Sequence, residues 1–100
     1  MRWRPKPDGL AFWTKRRLEC LDRDHFRCRR CPAQATDAAH VAPLGMGGSR
    51  YDPEDPRNRL SNLVSLCRGC HSLLELGKWR WEEIGVWPSP ASLRRKALAA

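Results

Sequence analysis

Two Cys-x2-Cys pairs, Cys28/Cys31 and Cys67/Cys70, constrain this chain more than any other feature; 35 residues lie between them. Two residues between ligands let a tight turn aim both sulfurs at one ion. Zinc accepts four thiolates tetrahedrally at about 2.3 Å. A single pair is weak evidence, because redox motifs share it; two matched pairs are much stronger. A chain of 100 residues buries only a modest core. A metal staple that contributes on the order of 10 kcal/mol to folding therefore matters greatly. Four sulfurs close the coordination shell, so the zinc expected here is structural. The competing reading is two unrelated thiol pairs in a reducing cytosol. The fifth cysteine, Cys20, lies in a helical pattern and is expected in the core. An odd count also argues against a secreted disulfide framework.

The charge balance points the same way. Lys plus Arg is 19 against 11 acidic residues, a formal +8. A zinc tetrathiolate carries two negative charges, which brings the total to about +6. Such a chain suits a polyanion, most simply nucleic acid, although a soluble basic surface would look alike on charge alone. Arginine far outnumbers lysine, which favours bidentate phosphate contacts. The first residues, Met1 to Pro7, hold no apolar h-region, so no signal peptide is expected. No apolar stretch approaches membrane-spanning length, and a cytoplasmic setting is expected.

The pattern predicts a single small α+β domain over residues 1–100. Residues 1–8 read as a basic arm, 9–80 as the core and 81–100 as a C-terminal extension. Leu10, Trp13, Leu18 and Leu21 recur near helical spacing and predict a helix over 9–22. Residues 35–41 suit a short strand that Pro43 ends, and 63–67 suit a second. Between them, 44–58 reads as turn material with three glycines and two prolines. A loop of that length in a small domain is often functional. A helix is expected from Cys70 onward. Trp79, Trp81, Ile84, Val86 and Trp87 form a wrapping segment, and 92–100 a short basic helix. Trp13, Trp79 and Trp81 are expected to fill the core.

Three further residues interleave with the cysteines: His40 in Ala39-His40-Val41, then Asn62, then His71 directly after Cys70. Each alone has a bland reading as a surface histidine, a turn residue or a helix cap. The ordered set resembles the HNH endonuclease family, in its zinc-stapled, four-cysteine branch. The resemblance covers residues 13–76. It rests on Trp13…Leu21-Asp22-Arg23-Asp24…Cys28-x2-Cys31, Ala39-His40-Val41-x-Pro43, Gly45-Met46-Gly47-Gly48, and Asn62-Leu63-x2-Leu66-Cys67-x2-Cys70-His71. The glycine loop is similar to that of small phage and prophage nucleases.

The resemblance implies a ββα-metal core (His-Me finger, treble-clef-like) in which two antiparallel strands and a helix clasp a catalytic divalent ion. It implies that His40 is the general base, that Asn62 braces the loop and orients His40, and that His71 is a ligand of the catalytic ion. These residue types suit the task. A neutral imidazole accepts a proton near neutral pH. A divalent ion withdraws charge from a scissile phosphate. The departure is at Ala39, where many members carry a metal-binding Asp, Glu or His. Glu75, one helical turn past His71, is the preferred substitute. Asp37, on the strand face of Ala39, is the second candidate, through water. The expected catalytic ion is Mn2+, Ni2+ or Mg2+. The expected partner is double-stranded DNA, with Arg50 beside the glycine loop as the favoured contact. Phage genome packaging beside a terminase, or host restriction, is the implied setting, and a monomer is expected. The rival class is a non-catalytic zinc module that binds nucleic acid, or an accessory protein of a packaging complex.

Overall fold

The computed structural model describes residues 7–44 and 48–86. Residues 1–6 of the basic arm expected over 1–8, Gly45 to Gly47 of the glycine loop, Trp87 and the helix expected over 92–100 lie outside the described residues.

Helix α1 spans Pro7–Arg23, two residues earlier than its apolar pattern suggests. The first turn tolerates its proline because the missing N–H has no intrahelical partner there. After α1 the chain reverses through His25 and Phe26, at φ 55° and 56°. Bulky residues avoid that left-handed region, at a cost of about 1–2 kcal/mol each. Hydrogen bonds hold the pair in place. Phe26 N–H donates to Leu21 O at 2.8 Å, and Ala35 N–H donates to Phe26 O at 2.8 Å. This reversal sets up the first Cys pair.

Strand β1, Asp37–His40, pairs antiparallel with β2, Leu63–Leu66. Its register places Asp37 opposite Leu66 and His40 opposite Leu63. Alternation sends Ala38 and His40 to one face of the sheet, and Asp37 and Ala39 to the other. Helix α1 covers the first face, where Cys20, Ala38 and Leu63 form one buried cluster. Helix α2, Arg68–Glu75, covers the second. There Ala39, Val64, Leu66, Trp79 and Trp81 pack with Cys28 and Cys70. With both faces covered, all four residues of β2 are buried, and its sequence is nearly continuous in apolar character.

Two expectations need correction. Residues 44–58 are not wholly irregular, for Pro56–Asn58 forms a 3-10 turn and Leu60–Asn62 another. The Asp55 carboxylate caps the first turn by accepting from Arg57 N–H, and Pro56 starts it. Asp followed by Pro is a helix-start signal. Trp13 packs on the edge of the Cys20, Ala38 and Leu63 cluster and not with Trp79 and Trp81, which are 3% and 7% exposed. It is half-buried and stacks on His40. A third 3-10 turn, Trp81–Ile84, carries the wrapping segment over the α2 face. Among the described residues no helix is long and apolar enough to cross a membrane.

Candidate metal centre and adjoining cleft

The reversal after α1 and the start of α2 bring the four cysteines together. The sulfurs of Cys28, Cys31, Cys67 and Cys70 all lie within 4.8 Å of one another. Cys31 and Cys67 sulfurs are 3.6 Å apart. A tetrahedron with 2.3 Å metal–sulfur bonds has edges of about 3.8 Å, so the set can hold one zinc ion. Cys67 also caps α2, accepting from Cys70 N–H at 3.4 Å. Burial works against ionisation of Cys28. The N–H groups of Cys67, Arg30 and Cys31 outweigh it and bring the thiol down to about 7. Burial pushes the Cys70 thiol up to about 12, against the pull of Arg30 and with the added repulsion of the neighbouring sulfurs. Crowded thiols keep protons that a divalent ion displaces. The Arg30 guanidinium lies 3.6 Å from the Cys70 sulfur and 5.1 Å over the Trp79 ring, where it offsets the negative charge of a tetrathiolate.

His40 ends β1 on the α1 face. Its ring stacks on Trp13 at 5.5 Å between centroids and 10° between planes. Its Nε2 lies 2.8 Å from Asn58 Oδ1. Burial, above all, holds the imidazole below its ordinary pKa of 6.5; Arg50 and Arg57 act the same way, and Asn58 and Asp55 oppose them. His40 is therefore neutral at pH 7. Asn62, at the end of the 3-10 turn before β2, is fully buried. Its Oδ1 accepts from Ala42 N–H at 2.8 Å. Its Nδ2 donates to Ala42 O at 3.0 Å and to Arg57 O at 2.8 Å. Asn62 thus ties the segment after β1 to the 3-10 turn, while the side chain that reaches His40 is Asn58. Arg57 stiffens the same loop through a two-pronged bond to Asp55, at 3.0 and 2.8 Å, and a bond to Leu44 O. Gly48 is required here, because a Cβ would fall 2.6 Å from Leu44 O.

No family model matches this chain, and no curated protein does.

His71, in the first turns of α2, lies between two carboxylates. Asp37 Oδ2 is 2.8 Å from Nδ1, and Glu75 Oε1 is 3.4 Å from Nε2. Asp37 also meets Arg68 at 3.1 Å and accepts from Thr36 at 2.9 Å. Burial alone would raise its carboxyl, but His71, Thr36 and Arg68 together hold it below the usual carboxylate range. The closer carboxylate to His71 is thus Asp37, which the sequence ranks second. Two strand residues before Ala39, it faces α2, as the alternation of β1 requires. Ala39 is 1% exposed and packs in the core. Apart from the four cysteines, no group of three or more close potential ligands occurs among the described residues.

Two hollows meet at His71 and Glu75. One, of about 390 Å³, is lined by His40, Leu44 and Trp81 as well. The other, of about 550 Å³, is lined by Trp13, Arg17, Asp37, Arg50 and Arg68. Arg50 is exposed and lies over the Trp13 and Tyr51 rings, at 5.9 and 5.2 Å. The fold thus places His71 and Glu75 on the border of both hollows, with His40 in one and Arg50 in the other. Asn58 carries no signal in the spacing, and Trp13, part of the pattern behind the resemblance, is expected in the core and not on the His40 ring.

Proposed function

We propose that this chain is a metal-dependent endonuclease of the HNH type that hydrolyses phosphodiester bonds in double-stranded DNA. The observation that carries this reading is a neutral, half-buried His40 lining the same hollow as the His71–Glu75 pair. Arginines line the adjoining cleft, and the four-cysteine centre staples the scaffold. In this ββα-metal reading the four cysteines hold the structural zinc. His71 and Glu75 would hold the catalytic ion. The ionised Asp37 carboxylate only accepts, so it takes the His71 Nδ1 hydrogen, and Nε2 is the ring nitrogen on the Glu75 side. Once bound, the ion supplies charge withdrawal from the scissile phosphate and the leaving oxygen. His40 takes a proton from the attacking water as the new P–O bond forms and the bond to the leaving oxygen breaks. Asn62 and Arg57 hold the loop that carries Asn58 against His40. Packaging beside a phage terminase, or restriction, is the setting this activity suits.

The direct test is plasmid cleavage by the zinc-loaded protein with and without added Mg2+, Mn2+ or Ni2+. Cleavage should require the second metal. A histidine ligand favours Mn2+ or Ni2+ over Mg2+ at low concentration. Ala39 gives specific support to a second reading, a zinc module that binds nucleic acid without cutting it, because it leaves the site one ligand short. DNA binding without cleavage in every metal would establish that alternative.

Metal affinity and salt dependence test the site residues one by one. Asp37→Asn should weaken Mn2+ binding about 10–100-fold in calorimetric titration, as loss of a carboxylate behind a metal-bound histidine does. Glu75→Gln should weaken it at least as much; unchanged affinity removes Glu75 from the site. DNA affinity should fall steeply with salt. Arg50→Ala should flatten the log–log slope by about one unit, alike for all sequences. A changed site preference with an unchanged slope would exclude a phosphate contact.

A further inference from the structure

The orientation of the Asn58 amide is settled by its surroundings. The residue is 1% exposed. One end of the amide lies 2.7 Å from Ser49 O and 2.8 Å from Asp52 O. Carbonyl oxygens only accept, so that end is the NH2 group, and both of its hydrogens are spent. The other end is therefore the oxygen, and it faces His40 Nε2 at 2.8 Å. An amide oxygen requires a donor, so Nε2 carries the hydrogen. Asn58 itself cannot swing away. It ends the 3-10 turn that Asp55 caps, and the preceding Arg57 is clamped to Asp55 by its guanidinium and to Asn62 by its carbonyl. Trp13, stacked on the ring, restricts rotation of His40 from the other side.

We infer that Asn58 is the positioning residue of His40, holding it as the Nε2–H tautomer so that Nδ1 is the atom that takes the proton. That role in catalysis rests on the nuclease reading; the tautomer does not. Asn58 differs in kind from Asn62, whose amide is fully engaged with the backbone of Ala42 and Arg57. The charged groups bearing on His40 are Asp55, which favours the imidazolium, and Arg50 and Arg57, which disfavour it. From α1 the facing group is the uncharged Trp13 ring, and His71 and Glu75 of α2 line the same hollow.

The test is nitrogen-15 NMR of the histidine rings in the zinc-loaded protein with no second metal added. His40 should show a protonated Nε2 and a lone-pair Nδ1 at pH 7.5 or above. The reverse pattern overturns the inference without any variant. Titrating His40 by NMR in two variants then separates positioning from mere loop support. Asn58→Ala removes the acceptor and should move the His40 pKa down. Asn58→Asp places a carboxylate there and should move it up. A pKa that stays at the parental value in both folded variants would leave Asn58 a loop-supporting residue only. In plasmid cleavage, the acid limb should follow these opposite shifts, and Asn58→Ala should lose less than the about 10²–10⁴-fold expected for losing a base outright. If the tautomer and both shifts are found but no metal supports cleavage, the positioning stands and the nuclease reading falls.

Discussion

Removing zinc from the four cysteines is expected to unfold the chain rather than merely inactivate it. Binding of a structural zinc contributes on the order of 10 kcal/mol. That is comparable with the whole net stability of a small domain, about 5–15 kcal/mol. The centre joins the reversal after α1 to the start of α2, and Cys28 and Cys70 are also members of the main core cluster. Cys31→Ser or Cys70→Ser should therefore abolish the cooperative thermal transition, and a strong chelator should do the same to the parent protein. Metal analysis should find about one tightly held zinc per chain. Cys20→Ser is the internal control. Cys20 is buried beside Ser65, away from the other four, and its replacement should leave the zinc content unchanged. A zinc-free variant of Cys31 or Cys70 with a full thermal transition would show that no metal staple holds the fold together.

Replacing His40 by alanine is expected to reduce DNA cleavage by about 10²–10⁴-fold, the usual cost of losing a general base. Folding should survive. His40 is only half-buried, and its backbone, not its ring, makes the pairing opposite Leu63. DNA binding should survive as well, since the arginines of the cleft are untouched. The pH dependence follows from the direction of the shift. Burial holds the His40 pKa below 6.5, so the base is free at neutral pH. Activity should be level there and decline as pH falls through that lowered value. A decline that begins well above pH 6.5, or parental cleavage by His40→Ala, would exclude His40 as the base.

Most of the scaffold is legible in the chain because its signals are local. The Cys-x2-Cys spacing alone places each pair in one turn, and the apolar runs mark both strands and both helices to within a few residues. The site is legible only in part. Asp37, His71 and Glu75 illustrate the boundary. Glu75 lies one helical turn from His71, a relation any helix enforces, so spacing alone brings the two together. Asp37 is 34 residues from His71. Its approach depends on the register of β1 against β2, which turns positions 37 and 39 to the α2 face. That same register buries Ala39 in the core.

The division is sharper around His40. The sequence by itself determined which residues can bind zinc, the order of the elements and the strongly basic character, all set by composition and short-range spacing. Only the tertiary structure decided that Asn58, 18 residues away, rather than Asn62, meets His40. It also decided that Trp13 of α1, packed at the edge of the Cys20 cluster, covers the ring. The reason is that both contacts are made across elements. An asparagine amide is equally at home in a turn, a cap or a site, and only the packing of the 3-10 turn against the end of β1 selects which one faces the imidazole.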